Sequence, residues 1–549
     1  MTKQTKPYLL EVENLAISID SSPTVRGISF ALREGEILGL VGESGSGKSL
    51  TCRALLGLLP ESARVSGRVN FAGRDLLSLS TEAMRSIRGR EIAMIFQNPA
   101  SHLDPLMSLG CQIAEPLRQH FQQNRKQARE NAIEALRSVQ IQDAEHRVDT
   151  YPHELSGGMK QRGMIAGAMA CRPRLLLADE PTTALDVTVQ ARILDLLREL
   201  NRRDGLSIIF VSHDLAVIAE LCDRVLVMRN GEFIEHGPTQ QIMRAPTHSY
   251  TQLLIDSQPS SLELPQLDDT GEARTPLIEL DDLSITYTTS GLLPGSHCQV
   301  VRALENASLT VEAGESLGIV GESGSGKSTI ARAIMRLVVP AAGTVRFQGK
   351  DIAALRGAEL QQYRRKVQMV FQNPFDSLNP RMRVVDTIAE PMIRHGLASR
   401  KEALERAREL MRQVELPVEF ADRRPHQLSG GQCQRVGIAR ALALDPEVLI
   451  ADEVTSALDV TIQAQILRLI QRLRAERKLT VIYISHDLAV VRRFCDRIAV
   501  FRHARLIELG SAEQVLEHPR DDYTKLLIGS APSLERALEH RGAFDERYA

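Results

Sequence analysis

Two kinds of apolar pattern alternate along the chain. Short runs such as "EILGLVG" (36–42), "LLLAD" (175–179) and "SIIFVSH" (207–213) are of strand length and apolar nearly throughout. Strands buried on both faces of a parallel sheet read this way. Longer stretches, "NAIEALRSVQI" (131–141) and "TVQARILDLLRELNRR" (188–203), place apolar residues three and four apart, the spacing of amphipathic helices. Strands alternating with helices predict an α/β class with a parallel sheet.

The pattern then occurs a second time. "LSGGMKQR" (155–162) pairs with "LSGGQCQR" (428–435), and "LLLADEPTTALDVTVQARIL" (175–194) with "VLIADEVTSALDVTIQAQIL" (448–467). Ser156 to Ser429, Asp179 to Asp452 and His213 to His486 are equally spaced. Earlier in the chain the offset grows by a few residues, as insertions in surface loops would make it. A period this long is a duplicated domain, not a solenoid repeat. The boundaries expected are 8–255 for the first domain, 256–276 for a Pro-, Ser- and acid-containing linker, and 277–531 for the second. Flexibility is expected of such a linker, and the tail 532–549 is expected to be frayed and solvated.

Bulk properties narrow the class only slightly. A length of 549 residues exceeds what one core supports. A net charge of −2 supplies no basic footprint for nucleic acid. Seven cysteines are dispersed with no C-x-x-C pair, which reads as reduced thiols in a cytosolic protein. No run reaches a spanning helix and the first residues lack a secretory h-region. The chain is therefore expected to be soluble by itself, with any membrane role carried through partners.

The chemistry sits in two loops. "VGESGSGKS" occurs at 41–49 and at 320–328, each time after an apolar strand and before a helical pattern. That is the setting of a phosphate-binding loop. Glycines let successive N–H groups converge on one anion, and the helix dipole adds to them. Lys48 and Lys327 suit the β/γ-phosphates of a nucleotide; the Ser49 and Ser328 hydroxyls suit Mg²⁺. Asp179-Glu180 and Asp452-Glu453 each end an apolar strand. A D-E pair there is ordinarily a solvated strand end. Beside a phosphate loop, the aspartates suit Mg²⁺ and the glutamates suit orienting or deprotonating a water.

The order of motifs makes the reading specific. Phosphate loop, Gln97 or Gln372 in "FQNP", L-S-G-G, D-E, A-L-D and His213 or His486 follow one another twice. This resembles the ATPases of the ABC family over nearly the whole chain. The resemblance implies tandem ABC-type P-loop ATPase domains of α/β class. Each would have a RecA-like parallel-sheet core, an antiparallel β subdomain and a helical subdomain. It implies that ATP is bound by Gly42, Ser44, Gly45, Gly47, Lys48 and Ser49 in one cradle. The other cradle would use Gly321, Ser323, Gly324, Gly326, Lys327, Ser328 and Thr329. Each cradle would be completed by the signature of the other half, Ser429, Gly430 and Gly431 for the first and Ser156, Gly157 and Gly158 for the second. Gln97 and Gln372 would join Ser49, Asp179, Ser328 and Asp452 at Mg²⁺. Glu180, Glu453, His213, His486 and the two glutamines would be catalytic.

"FQNPASHLDPLMSLGCQIAEPL" (96–117), "FQNPFDSLNPRMRVVDTIAEPM" (371–392), "APTHSYTQLLIDS" (245–257) and "EHPRDDYTKLLIGSAPS" (517–533) narrow the likeness. They resemble the ATPases of oligopeptide, dipeptide and nickel importers, here as a fused member. Two integral-membrane permeases, an indirectly acting periplasmic or lipid-anchored substrate-binding protein, and a place on the cytoplasmic face of the inner membrane are implied. The permeases would contact the helical segments near 98–155 and 373–428. A twin-ABC ATPase acting on ribosomes or nucleic acid is the alternative, but the linker is short and lacks a basic run.

Departures from the family pattern matter too. The iron–sulfur cysteine cluster of many such importers is missing from 236–276 and 510–549, with Cys298 alone nearby, so no cluster is expected. Met159 replaces the usual signature glutamine and Val454 the usual proline; both are expected to be tolerated. Tyr287, in "LSITY", matches the aromatic that stacks on adenine, and Ile19, in "LAISI", aligns with it. The first cradle is therefore expected to bind ATP more weakly than the second.

Overall fold

The computed structural model describes residues 8–182, 185–262, 264, 275–289, 299–373, 375–455 and 458–545. It divides into two units, residues 1–258 with 532–549, and residues 259–531.

In the first unit, β1 (Tyr8–Ile19) and β2 (Ser22–Arg33) form a hairpin, followed by β3 (Ile37–Val41), β4 (Ala63–Phe71), β5 (Arg74–Asp75) and β6 (Ile92–Ile95). After a run of helices come β7 (Leu175–Asp179), β8 (Ser207–Val211), β9 (Arg224–Arg229) and β10 (Glu232–Pro238). The order β2-β1-β4-β5 makes an antiparallel sheet; β10-β9-β3-β8-β7-β6 makes a second, parallel except for β10. The runs "ILGLV", "LLLAD" and "SIIFV" are buried at every position, as central strands covered on both faces must be. One face packs with the antiparallel sheet, through Leu10, Val69, Phe71, Leu38 and Leu177. The other packs with helices, through Val41, Ile113, Ile165 and Ile193.

The second unit repeats this with β11 (Pro276–Thr289), β12 (Gln299–Glu312), β13 (Ser316–Gly321), β14 (Ala342–Phe347), β15 (Lys350–Asp351) and β16 (Val367–Val370). It ends with β17 (Val448–Asp452), β18 (Thr480–Ile484), β19 (Arg497–Arg502) and β20 (Arg505–Ser511). Its sheets run β12-β11-β14-β15 and β16-β17-β18-β13-β19-β20, the first unit's order strand for strand. In both, β3 or β13 delivers the chain into the phosphate-loop sequence at the carboxyl edge, and β7 or β17 ends there in Asp-Glu. That edge is where a parallel sheet presents its ligand crevice.

The helical segments appear as Leu109–Phe121 with Arg125–Ser138, and as Val384–Arg394 with Arg400–Gln413. Among the described residues, no helix is long and apolar enough to cross a membrane.

The ends of the two domains differ from the sequence expectation. The tail is not frayed over its described residues: Leu534–Asp545 is a helix packed on helix Leu215–Leu221 of the first unit. Leu534 and Ala537 are buried, and Arg244 Nη2 donates to the Leu538 carbonyl at 3.0 Å. Leu534, Ala537 and Leu538 recur at three- and four-residue spacing, and the Ser533 hydroxyl accepts the Arg536 amide, so the segment has both a stripe and a cap. The start of the linker is anchored likewise. Leu262 is buried in the second unit's core, and Arg493 Nη2 donates to the Ser260 carbonyl at 2.6 Å. Residues 263 and 265–274 of the linker, and Cys298, lie outside the described residues.

Candidate functional site

The phosphate loop is shaped by three left-handed glycines. Gly42, Gly45 and Gly47 have φ of 151°, 77° and 108°, and Gly321, Gly324 and Gly326 repeat this at 148°, 76° and 106°. A Cβ on Gly42 would lie 2.1 Å from the Met228 carbonyl oxygen, and one on Gly321 2.1 Å from that of Phe501. Only glycine lets the loop pass so close to β9 or β19. The helices Lys48–Leu55 and Lys327–Ile334 start directly behind, aiming their N-terminal amides back into the loop. Ser44 and Ser323 lie inside the loops, and Thr329 is buried in the first turn of the second helix.

Each lysine is buried and held by loop carbonyls. Lys48 Nζ donates to Gly42 O at 2.7 Å and Glu43 O at 2.8 Å; Lys327 Nζ donates to Gly321 O and Glu322 O, both at 2.8 Å. The next residue reaches the strand across the crevice. Ser49 Oγ donates to Asp179 Oδ1 at 2.7 Å, and Ser328 Oγ to Asp452 Oδ1 at 3.2 Å. Burial lifts both aspartyl carboxyls above the usual range; the serine hydroxyls oppose that and the neighbouring Glu180 and Glu453 charges add to it. A desolvated carboxylate beside a serine hydroxyl is a hard oxygen donor pair, which fits Mg²⁺.

The adjoining glutamates sit at φ 47°, in the left-handed region, at a cost of about 1–2 kcal/mol. The turn is fixed by the Glu180 amide donating to Val211 O at 3.1 Å and the Glu453 amide to Ile484 O at 2.9 Å. It aims each carboxylate between two partners. Gln97 Nε2 donates to Glu180 Oε2 at 2.8 Å, and His213 Nδ1 lies 3.5 Å from Oε1. Gln372 Nε2 reaches Glu453 Oε2 at 2.6 Å, with His486 Nδ1 at 3.5 Å. Burial alone would raise the Glu453 carboxyl, but the His486 hydrogen bond and charge, with Lys327, hold it below the usual range. Burial would lower His486, and the same glutamate keeps it above the ordinary imidazole value.

Phosphate-loop lysine and serine, aspartate, glutamate, glutamine and histidine thus converge in each unit. The signature residues are placed elsewhere, at the N-termini of helices Gly157–Met169 and Gly430–Leu442. Their glycines divide in role. A Cβ on Gly158 would meet Val189 Cγ1 at 2.7 Å, and one on Gly431 would meet Ile462 Cγ2 at 2.5 Å, so these two permit helix packing. Among the described residues, a Cβ on Gly157 would meet nothing within 4 Å. Ser156 and Ser429 cap their helices, but only Ser429 has a reciprocal partner. The Gln432 side chain accepts the Ser429 amide at 3.0 Å, closing a capping box that Met159 cannot form. Of the A-L-D segments, Ala184 and Ala457 lie outside the described residues.

Strand register supports the alignment of Ile19 with Tyr287. Leu15 pairs with Ile28 as Leu283 does with Ala307, which puts Ile19 opposite Ser22 and Tyr287 opposite Val301. The Tyr287 ring is half-buried against the second core, and its hydroxyl has no hydrogen-bond partner among the described residues.

Sequence reasoning missed one pair of residues. The Tyr250 and Tyr523 hydroxyls accept the Glu43 and Glu322 amides of the phosphate loops, each at 3.1 Å. Their occurrence in the matched segments "HSYTQLLI" and "DDYTKLLI" was the available signal.

Fold and site define a tandem phosphate-loop ATPase. The ABC transporter family model matches residues 25–183 and 304–456, and that of the oligopeptide/dipeptide transporter C-terminal region matches 234–277 and 507–546. The chain belongs to the ABC transporter family, as an ATP-binding and ATP-hydrolysing subunit of its oligopeptide/dipeptide branch. It is similar to the glutathione import ATP-binding protein GsiA of Pectobacterium atrosepticum, 42% identical with 97% of this chain and 91% of that protein covered. GsiA of Escherichia coli O157:H7 is also 42% identical, with 96% and 90% covered. A solved dimeric ATP-binding cassette with ADP and Pi is 35% identical over 43% of this chain and 99% of its own, with a TM-score of 0.39.

Proposed function

We propose that the chain powers import of peptides or related small solutes, glutathione-like compounds among them, across the bacterial inner membrane. It would act at the cytoplasmic face with two permease subunits and, indirectly, a substrate-binding protein. The observation that carries this reading is the paired lysine–serine–aspartate–glutamate–histidine constellation in one chain with two oligopeptide-type C-terminal regions. The likeness to GsiA proteins along the chain supports import and a peptide-like cargo.

In this reading the loop amides and the Lys48 and Lys327 ammonium groups neutralise the β- and γ-phosphates of ATP. Ser49, Asp179 and Gln97, with Ser328, Asp452 and Gln372, would hold Mg²⁺, whose bound form supplies charge neutralisation on the phosphate oxygens. Glu180 and Glu453 orient the attacking water and take its proton. Gln97 with His213, and Gln372 with His486, set the carboxylate's direction before substrate arrives. The Ser-Gly start of each signature helix would offer amides to the γ-phosphate bound by the other half, so that turnover would require both halves. Ile19 and Tyr287 supply the two adenine contacts.

Co-purification from membranes tests the assignment. Recovery with two permeases and stimulation of ATP hydrolysis by a peptide-loaded binding protein are expected. Recovery with ribosomes would overturn it.

A further inference from the structure

The contact between the C-terminal region and the phosphate loop is found in both units. Tyr250 and Tyr523 lie in helices Ser249–Asp256 and Asp522–Ser530, outside every motif that the ATPase reading uses. Both are nearly inaccessible, at 2% and 3% exposure. An arginine at the end of β9 or β19 covers each ring, Arg229 and Arg502 both 4.6 Å from the centroid. Each helix start is pinned to the last strand. Glu235 accepts the Thr247 and His248 amides, and Glu508 accepts those of Arg520 and Asp521.

The phenol meets one particular peptide group. Glu43 N–H and Gly42 C=O belong to the same peptide plane, as do Glu322 N–H and Gly321 C=O. A trans peptide points these two groups in opposite directions. The tyrosine hydroxyl takes the N–H at 3.1 Å on one side, and the lysine ammonium takes the C=O on the other, at 2.7 Å for Lys48 and 2.8 Å for Lys327. Rotating that plane would carry the carbonyl away from the lysine. Gly42 and Gly321 sit at φ 151° and 148°, where no side chain steadies the plane from within. A hydrogen bond to the N–H also polarises the amide and strengthens its C=O as an acceptor.

We propose that Tyr250 and Tyr523 are positioning residues for ATP hydrolysis. Each hydroxyl fixes the first peptide plane of its phosphate loop and, through it, the lysine that meets the phosphates. The C-terminal region of this branch is thereby wired to the catalytic cradle. The proposal rests on the reading that Lys48 and Lys327 bind ATP phosphate.

The test uses the full chain with Tyr250→Phe and Tyr523→Phe together, which keeps both rings and both arginine contacts. MgATP affinity, kcat, KM and thermal midpoint are measured in the wild type, this variant, Lys48→Ala/Lys327→Ala, and the four substitutions combined. Loss of one neutral hydrogen bond per site predicts about fivefold weaker ATP binding and a raised KM. Because the hydroxyl acts through the lysine, the phenylalanines should change ATP affinity little further once both lysines are alanine. Wild-type ATP affinity in the double phenylalanine variant, with only the thermal midpoint lowered, would overturn the proposal and leave the lysine reading intact. So would an equal further loss in the lysine-free chain. Undiminished ATP binding by the double lysine variant would overturn both.

Discussion

Around one conserved cradle the two halves diverge. At the position where β11 presents Tyr287, β1 presents Ile19, in the same register. Where the second signature closes a capping box through Gln432, the first has Met159. Yet the loop dihedrals agree within a few degrees, and lysine, glutamate, glutamine and histidine make matching contacts. The inner parts are constrained by backbone approach and charge, so a substitution there has no neutral solution. The outer parts cap a helix or, in the proposed function, meet adenine, and there an apolar or uncapped substitute costs only a fraction of the binding or folding energy.

This comparison can be broken at several levels. The largest effect is expected at the glutamates. Glu180→Gln and Glu453→Gln should each lower ATP turnover by about 10²-fold or more, read as phosphate release. Near-normal turnover in either variant would show that its half contributes no hydrolysis. Next come the exchanged ends. Leu534→Ala should destabilise the first unit and Leu262→Ala the second, each by about 2–5 kcal/mol, read by calorimetry; an unchanged transition would mean that the segment is not seated. Tyr287→Ala should weaken ATP binding at the second cradle by about 1–3 kcal/mol, measured with Lys48→Ala silencing the first. Equal ATP affinities in the Lys48→Ala and Lys327→Ala chains would remove the proposed asymmetry. The smallest effect belongs to the caps. Met159→Gln should stabilise the chain, and Gln432→Met destabilise it, by about 0.3–1.5 kcal/mol in thermal melts.

Much of the site was legible from local order. The apolar runs "LLLAD" and "SIIFV" became β7 and β8 with every residue buried, because a strand covered on both faces has no polar side to disguise it. Loop glycines and the Asp-Glu pair were readable since their spacing is dictated by an anion's size and a strand's end. The tail was misread although Leu534, Ala537 and Leu538 already formed a stripe: three apolar residues specify a face but not the surface it meets. The missing capping box was readable from Met159 standing three residues after Ser156, a position whose side chain must return to the Ser156 amide.

The chain alone therefore determined which groups line the two loop crevices and in what order they occur, because a phosphate-binding loop demands particular residue types at short, fixed separations. Tertiary structure decided that Tyr250 and Tyr523 hold the loop amides, that Glu180 and Glu453 turn at positive φ toward glutamine and histidine, and that Leu262 and Leu534 are buried where they are. Contacts of this kind join residues far apart in the chain, 294 positions in the case of Arg244 and Leu538. No local pattern encodes such a pairing; it exists only once packing has brought both surfaces together.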